Sequence, residues 1–245
     1  MRAMILAAGL GTRLRPLTED RPKALVEIAG RTMLEITLSR LREFGIRDVI
    51  INVHHYADMI AEHLETNNNF GMHIELSREE VLLDTGGGLK KASYFFLENS
   101  DSSEQPFILH NVDVISTIDL RRLVQFHSEN QALATLAVQD RKTSRYLLFD
   151  DRLLLRGRCA DGENKSGQLS RQMLAFAGIH VLSPRLLKMM TESGVFSIIT
   201  SYLRLAAQGE KILGFRADEY YWRDLGTPKS VRQAARDLKE KALLQ

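Results

Sequence analysis

In its first half the chain alternates short, wholly apolar runs with stretches of helical period, and this rhythm leaves few folds open. Residues 4–7 are apolar throughout, and Asp48–Val53 reads Asp-Val-Ile-Ile-Asn-Val. Between them, residues 32–44 place Leu34, Leu38 and Leu41 on one helical face and stop at Gly45. The pattern continues with a helix over 57–65, a strand over 73–76, and a helix over 89–97 opened by Gly86-Gly87-Gly88. A strand over 107–109 then runs out at His110-Asn111-Val112-Asp113. Apolar strands joined through helices must be covered on both faces. They predict an α/β chain, a Rossmann-like three-layer sandwich with a mainly parallel central sheet.

The second half is more mixed. Helices are expected over 119–128, 184–191, 197–208 and 228–242, and strands over 132–138, 175–182, 211–215 and 220–222. Residues 145–155 read as a hairpin around Asp150-Asp151, and the polar, turn-rich segment 157–168 reads as a loop. No internal repeat, low-complexity linker or clear boundary appears, so one domain over 1–245 is expected.

Composition narrows the function classes. Of 245 residues, 44% are hydrophobic and 26% charged, enough apolar material for a sizeable core. The net charge of +2 gives no basic surplus for a nucleic-acid partner. The single cysteine, Cys159, excludes an intrachain disulfide and a cysteine-based zinc site. Neither a signal-peptide pattern nor an apolar stretch of bilayer length is present, so no membrane association and a cytoplasmic location are expected. The sequence leaves oligomeric state open.

The first strand empties into Leu6-Ala7-Ala8-Gly9-Leu10-Gly11-Thr12-Arg13-Leu14-Arg15-Pro16-Leu17-Thr18, with Pro22-Lys23 shortly after. Such a turn gathers backbone N–H groups and cations at one point, as polyphosphate binding requires. Arg13 can grip phosphate oxygens in a bidentate manner, while Lys23 is a compact point charge. A dinucleotide fingerprint would need a third glycine where Leu14 stands, and a Walker loop needs the absent Gly-Lys-Ser/Thr. Gly9 and Gly11 alone are equally compatible with a plain strand-to-helix turn.

Taken whole, the stretch closely resembles the N-terminal signature of the nucleotidyltransferases that make NDP-sugars from sugar 1-phosphates. Family members read Leu-Ala-Ala-Gly-x-Gly-Thr-Arg-Leu-x-Pro-Leu-Thr, then Pro-Lys-x-Leu-Val. The second piece is Pro22-Lys23-Ala24-Leu25-Val26 here. Asp84-Thr85-Gly86-Gly87-Gly88 is similar to the family's second nucleotide loop, and Asn111-Val112-Asp113 to its Asn-Gly-Asp at a strand end. Phe176-Ala177-Gly178-Ile179 resembles its sugar-binding strand, and Trp222 to Thr227 its late Trp-x-Asp-x-Gly-Thr segment. The motifs keep the family's order along nearly the whole chain. The nearest branch is the short, single-domain one that transfers a uridylyl group to an N-acetylmuramate-type amino sugar 1-phosphate. The β-helix extension of some members has no counterpart.

This resemblance implies the nucleotidyltransferase fold of the GT-A-like type, with an NTP-binding half over about 1–115 and a sugar-phosphate half over about 116–245. It implies transfer of a nucleotidyl group from an NTP to a sugar 1-phosphate with loss of pyrophosphate. UTP with an amino sugar 1-phosphate is the first expectation, and GTP with mannose or heptose 1-phosphate the alternative. A catalytically silent nucleotide-sugar-binding regulatory relative is the rival of another class. Arg13 is implied to neutralise the β- and γ-phosphates and Lys23 the α-phosphate. Ala7, Ala8, Gly9, Gly11, Thr12, Thr85 and Gly86 are implied to bind the nucleotide, and Asn111 and Gly178 the sugar. Mg²⁺ is the implied cofactor, on Asp113 and Asp224. Without the resemblance, a strand-end aspartate reads as a turn or cap residue.

Two departures stand out. Val112 occupies the family's glycine, adding a stiff β-branched side chain near the acceptor. The Glu-Lys-Pro whose lysine holds the sugar phosphate in many members is absent from 145–170, leaving Arg156, Arg158 and Lys165 as conceivable substitutes. The adjacent His54 and His55 point to opposite sides of a strand and make poor co-ligands. Trp222 reads as a core aromatic, and His110 borders the expected pocket without an assigned role.

Overall fold

A computed structural model describes residues 1–97, 105–160 and 172–241. In chain order the strands and α-helices are β1 (Arg2–Leu6), β2 (Glu27–Ile28), β3 (Arg31–Thr32), α1 (Met33–Glu43), β4 (Asp48–Val53), α2 (Ala57–Thr66), β5 (His73–Arg78), α3 (Asp84–Lys91) and α4 (Tyr94–Leu97). There follow β6 (Phe107–Asn111), β7 (Val114–Ser116), α5 (Leu120–Glu129), β8 (Ala134–Gln139), β9 (Arg145–Phe149), β10 (Leu155–Ala160) and β11 (Gln172–Leu182). The last are α6 (Arg185–Met189), α7 (Ile198–Ala207), β12 (Ile212–Arg216), β13 (Trp222–Asp224) and α8 (Pro228–Lys241).

The main sheet runs β10-β9-β11-β6-β1-β4-β5, with β8 beside β11 and β12 beside β8. Its core, β6-β1-β4-β5, is wholly parallel, as the helix-linked apolar runs require. Around β11 the pairing turns antiparallel, to β6, β8 and β9.

Strand side chains alternate between faces, and each face packs its own layer. Ala3, Ile5, Val49, Ile51 and Ile108 join Leu34, Leu38 and Leu41 of α1, Ile60 and Leu64 of α2, Leu123 of α5 and Val231 of α8. Met4, Ile50, Phe107 and Leu109 face the other way, onto Leu89 of α3, Phe96 of α4, Leu187 of α6 and Tyr202 of α7. The result is the expected three-layer sandwich.

The structure corrects two local readings. The triple glycine does not precede a helix; it lies inside α3, which begins at Asp84 and ends at Lys91. A helix this rich in glycine gains little from propensity, and close packing explains it. A Cβ on Gly87 would sit 2.5 Å from the Gly194 carbonyl oxygen, and one on Gly88 2.6 Å from Glu79 Oε1. Part of the loop expected over 157–168 is strand, because β10 continues to Ala160 opposite β9; its remainder, with Lys165, lies outside the described residues. The three-residue β7 is too short to leave a periodic signature.

Three histidines are buried: His110 and His180 on adjacent strands, and His127 on α5. His180 Nδ1 meets the Tyr202 hydroxyl at 2.7 Å, and His127 Nδ1 the Thr135 hydroxyl at 3.0 Å. Burial disfavours the imidazolium and lowers their pKa values to about 4 for His110 and His127 and about 3 for His180. The unfolded chain takes up these protons near pH 6.5 while the folded chain refuses them, so stability falls as pH drops from there towards 4. Thermal unfolding is expected several degrees lower at about pH 5 than at about pH 7. A flat Tm across that window would contradict the buried neutral state.

Candidate active site

The parallel strands β1, β4 and β6 end at one edge, where open α/β sheets bind ligands. A cavity of about 370 Å³ lies there, lined by Ala8, Gly9, Lys23, Asn52, Asp84, Thr85, Asn111, Val112 and Asp113, with Leu6, Leu82 and Val195.

The glycine-bearing loop is held from several sides. The buried Ala7 N–H donates to Asn52 Oδ1 at 2.8 Å. The Gly11 carbonyl accepts from the Thr18 hydroxyl at 2.9 Å and from the Leu14 N–H at 2.8 Å, closing a 3₁₀ turn over Thr12–Leu14. Leu14 is fully buried beneath this turn, which leaves Thr12 and Arg13 exposed. A second short turn, Lys23–Leu25, carries Lys23 into an ion pair with Asp113.

Asp113 sits in the turn between β6 and β7. β7 pairs antiparallel with β13, setting Asp224 opposite Val114, and the Leu225 N–H donates to the Asp113 carbonyl at 2.9 Å. This small ribbon brings together two aspartates 111 positions apart. Asp224 Oδ1 accepts from the Gly226 N–H at 2.8 Å. A Cβ on Gly226 would lie 2.7 Å from that oxygen and 2.9 Å from Arg13 Nη2. The Arg13 guanidinium and the Asp224 carboxylate therefore both crowd a residue that has to lack a side chain. From below, the buried Arg40 donates to the Ser116 and Ile118 carbonyls, anchoring β7 to α1. Burial pulls the Arg40 pKa down to about 10.

The residues expected at the site divide into groups. Ala8, Gly9, Lys23, Thr85, Asn111 and Asp113 line the cavity, while Arg13 and Asp224 both lie against Gly226. Ala7 and Gly11 brace the loop. Thr85 reaches the cavity with its hydroxyl engaged by the Ile198 N–H at 3.0 Å. Gly86 is not a lining residue: its N–H donates to the Phe196 carbonyl at 2.9 Å, and a Cβ there would strike the Phe196 ring at 2.4 Å. Gly178, at φ +75°, sits in an irregularity of β11 against Asn111; a Cβ would be 2.9 Å from Asn111 Nδ2. His110 is buried against its own strand. Arg156 is paired with Asp150 in the hairpin at 2.7 Å, away from any role as a loose phosphate ligand.

Sequence reasoning missed three groups here. One is Asn52, which joins the Ala7 N–H to Glu79 through Nδ2 at 2.7 Å; Glu79 in turn accepts from Leu83 N–H at 2.9 Å. A polar residue inside an otherwise apolar strand was the available signal. The second is Arg40, which gives no signal within its amphipathic helix. The third is Arg141, whose guanidinium lies 3.6 Å from the Trp222 ring centroid.

Two carboxylates beside a lysine and an arginine suit a hard divalent cation with open positions for water and phosphate oxygens, the preference of Mg²⁺. Among the described residues no cluster of three or more His, Cys, Asp or Glu offers the closed set of a structural zinc site. Nor is any helix among them long and apolar enough to cross a membrane.

Comparison with known proteins shows the family and the fold. The chain is 33% identical to an N-acetylmuramate alpha-1-phosphate uridylyltransferase of Caulobacter vibrioides, across 97% of both chains. It is 30% identical to a mannose-1-phosphate guanyltransferase of Yarrowia lipolytica over 94% of its own length, spanning 61% of that longer protein. Its fold matches a putative glucose-1-phosphate thymidylyltransferase of Bacillus anthracis, with a TM-score of 0.81 at 16% identity over 98% of this chain and 96% of that one. It also matches HddC of Yersinia pseudotuberculosis in complex with GMP-PN, with a TM-score of 0.75 at 22% identity over 97% and 99% of the two chains. The model of the Nucleotidyl transferase family matches residues 2–241, and the chain belongs to that family.

Proposed function

We propose that this protein transfers a nucleotidyl group from an NTP to a sugar 1-phosphate, giving an NDP-sugar and pyrophosphate. The observation that carries the reading is the meeting of Lys23, Asp113 and the glycine-bearing loop at one cavity, with Asp224 brought beside Asp113 by the β7–β13 ribbon and Arg13 of the loop beside Gly226. In this reading a phosphate oxygen of the acceptor attacks the α-phosphorus of the NTP. The new P–O bond forms as the α–β bridge breaks, and pyrophosphate carries away the electron pair.

Both reactants are anions, so the site has to cancel charge and hold them in line. Backbone N–H groups from Ala8 to Thr12 cradle the triphosphate. Arg13 neutralises the departing pyrophosphate, and Lys23 neutralises the α-phosphate as charge builds there. Asp113 and Asp224 would hold Mg²⁺, which would polarise the phosphate oxygens. The half up to about residue 115 takes the nucleotide, and the half from about 116 takes the acceptor.

UTP and an amino sugar 1-phosphate of the N-acetylmuramate type are the favoured pair. The full-length match to the Caulobacter vibrioides uridylyltransferase supports this choice, since the guanyltransferase relative continues well beyond the matched region. The test is pyrophosphate release across four NTPs and a set of sugar 1-phosphates, with and without Mg²⁺. Metal-dependent release from UTP and N-acetylmuramate 1-phosphate is expected. Release only from GTP with mannose or heptose 1-phosphate would move the reading to guanylyl transfer. Nucleotide binding without turnover on any acceptor would replace it with a regulatory role.

A further inference from the structure

Arg141 has surroundings that its own fold does not explain. Nη2 donates to the Phe176 carbonyl at 2.7 Å, and the guanidinium plane lies on the Trp222 indole. That indole is itself fixed, its N–H donating to the Ala177 carbonyl at 2.7 Å. Nε is buried and has no hydrogen-bond acceptor. Among the described residues no carboxylate lies within ion-pair distance of Arg141, although most of the chain's partly buried arginines have one: Arg204 pairs with Glu192 and Arg223 with Asp237. A half-buried cation with no carboxylate in contact, and only Asp224 at longer range, is costly to keep, and an anion that joined it would offset that cost.

Its position says which anion. Arg141 and Trp222 both bond to the stretch of β11 just before Gly178, and Gly178 packs on Asn111 of the cavity. Trp222 leads directly to Asp224 on β13, and Asp224 lies close enough to act electrostatically on Arg141. The guanidinium therefore stands on the β11–β13 side of the site. An anion beside Asp224 would be repelled by that carboxylate unless cations flank it, and a phosphate has oxygens enough to meet both a metal and a guanidinium.

We infer that Arg141, held flat by Trp222, binds the phosphate of the acceptor sugar 1-phosphate. This rests on the transfer reaction proposed above and adds the group that holds its second substrate. Arginine suits the task because a planar fork stacked on an aromatic ring loses little freedom on binding.

The experiment measures KM for both substrates and kcat in the wild type, Arg141→Gln and Arg141→Lys, with Tm recorded for each. For Arg141→Gln, KM for the sugar 1-phosphate is expected to rise roughly tenfold to a hundredfold, the worth of a charge-assisted hydrogen bond. KM for the NTP should stay within about twofold, and Arg141→Lys should recover part of the loss. A purely structural arginine would lower Tm and disturb both KM values together, which overturns the inference. So would an acceptor KM unchanged in Arg141→Gln. A wild type that turns over no sugar 1-phosphate would instead sink the transfer reaction itself, and this assignment with it.

Discussion

Asp113→Asn is expected to lower metal-dependent pyrophosphate release by about a thousandfold or more while the protein still folds. The carboxylate has two tasks in the proposed reaction, supplying a hard oxygen to Mg²⁺ and holding the Lys23 ammonium beside the α-phosphate. Asparagine keeps an oxygen that can accept from Lys23 but removes the charge that binds the metal. The Asp113 backbone is tied through its carbonyl to Leu225, so the ribbon persists in the variant. Asp224→Asn should fall to a similar rate, and the double variant little further, because two ligands of one cation act as a unit. Turnover of Asp113→Asn within tenfold of wild type at ordinary Mg²⁺ would remove Asp113 from the metal site.

The second large effect is on stability. Asn52→Ala is expected to lose about 3 kcal/mol, the loss associated with leaving buried polar partners unsatisfied. Two buried groups bond to this one amide: the Ala7 N–H loses its acceptor and Glu79, which also holds the Leu83 N–H, loses its donor. For a chain of this length the loss corresponds to a fall in Tm of about 6–12 °C. Because Ala7 is the root of the glycine-bearing loop, KM for the NTP should rise as well. Asn52→Asp is a useful companion. It keeps the acceptor for Ala7 but sets two carboxylates face to face, so its deficit relative to wild type should shrink as pH falls into the carboxylate range. A Tm for Asn52→Ala within about 2 °C of wild type would show that the network contributes little.

Much of this was legible in the residues, for physical reasons. Short apolar runs separated by helices cannot avoid a covered parallel sheet, so the β6-β1-β4-β5 core follows from pattern alone. The glycine-bearing loop was readable because its chemistry is contiguous: backbone donors and cations lie within one short stretch. Asp113 and Asp224 were a different matter. Periodicity reads each as a turn residue, and only the family resemblance paired them, since the ribbon that joins them uses strands of three residues. Arg40 and Arg141 left no local trace because each meets carbonyls from distant strands, and such contacts appear only after folding. The glycines of α3 misled for a related reason. Their local preference points to a flexible lead-in, while Phe196, Gly194 and Glu79 leave no room for anything larger.

The β7–β13 ribbon also bears on the order in which a ribosome delivers the protein. Asp113 leaves the ribosome 111 residues ahead of Asp224. In the reaction proposed here, a prematurely released polypeptide would carry the nucleotide loop and one metal ligand but lack the other. The metal site is therefore complete only once the second strand of the ribbon has been made and paired with the first.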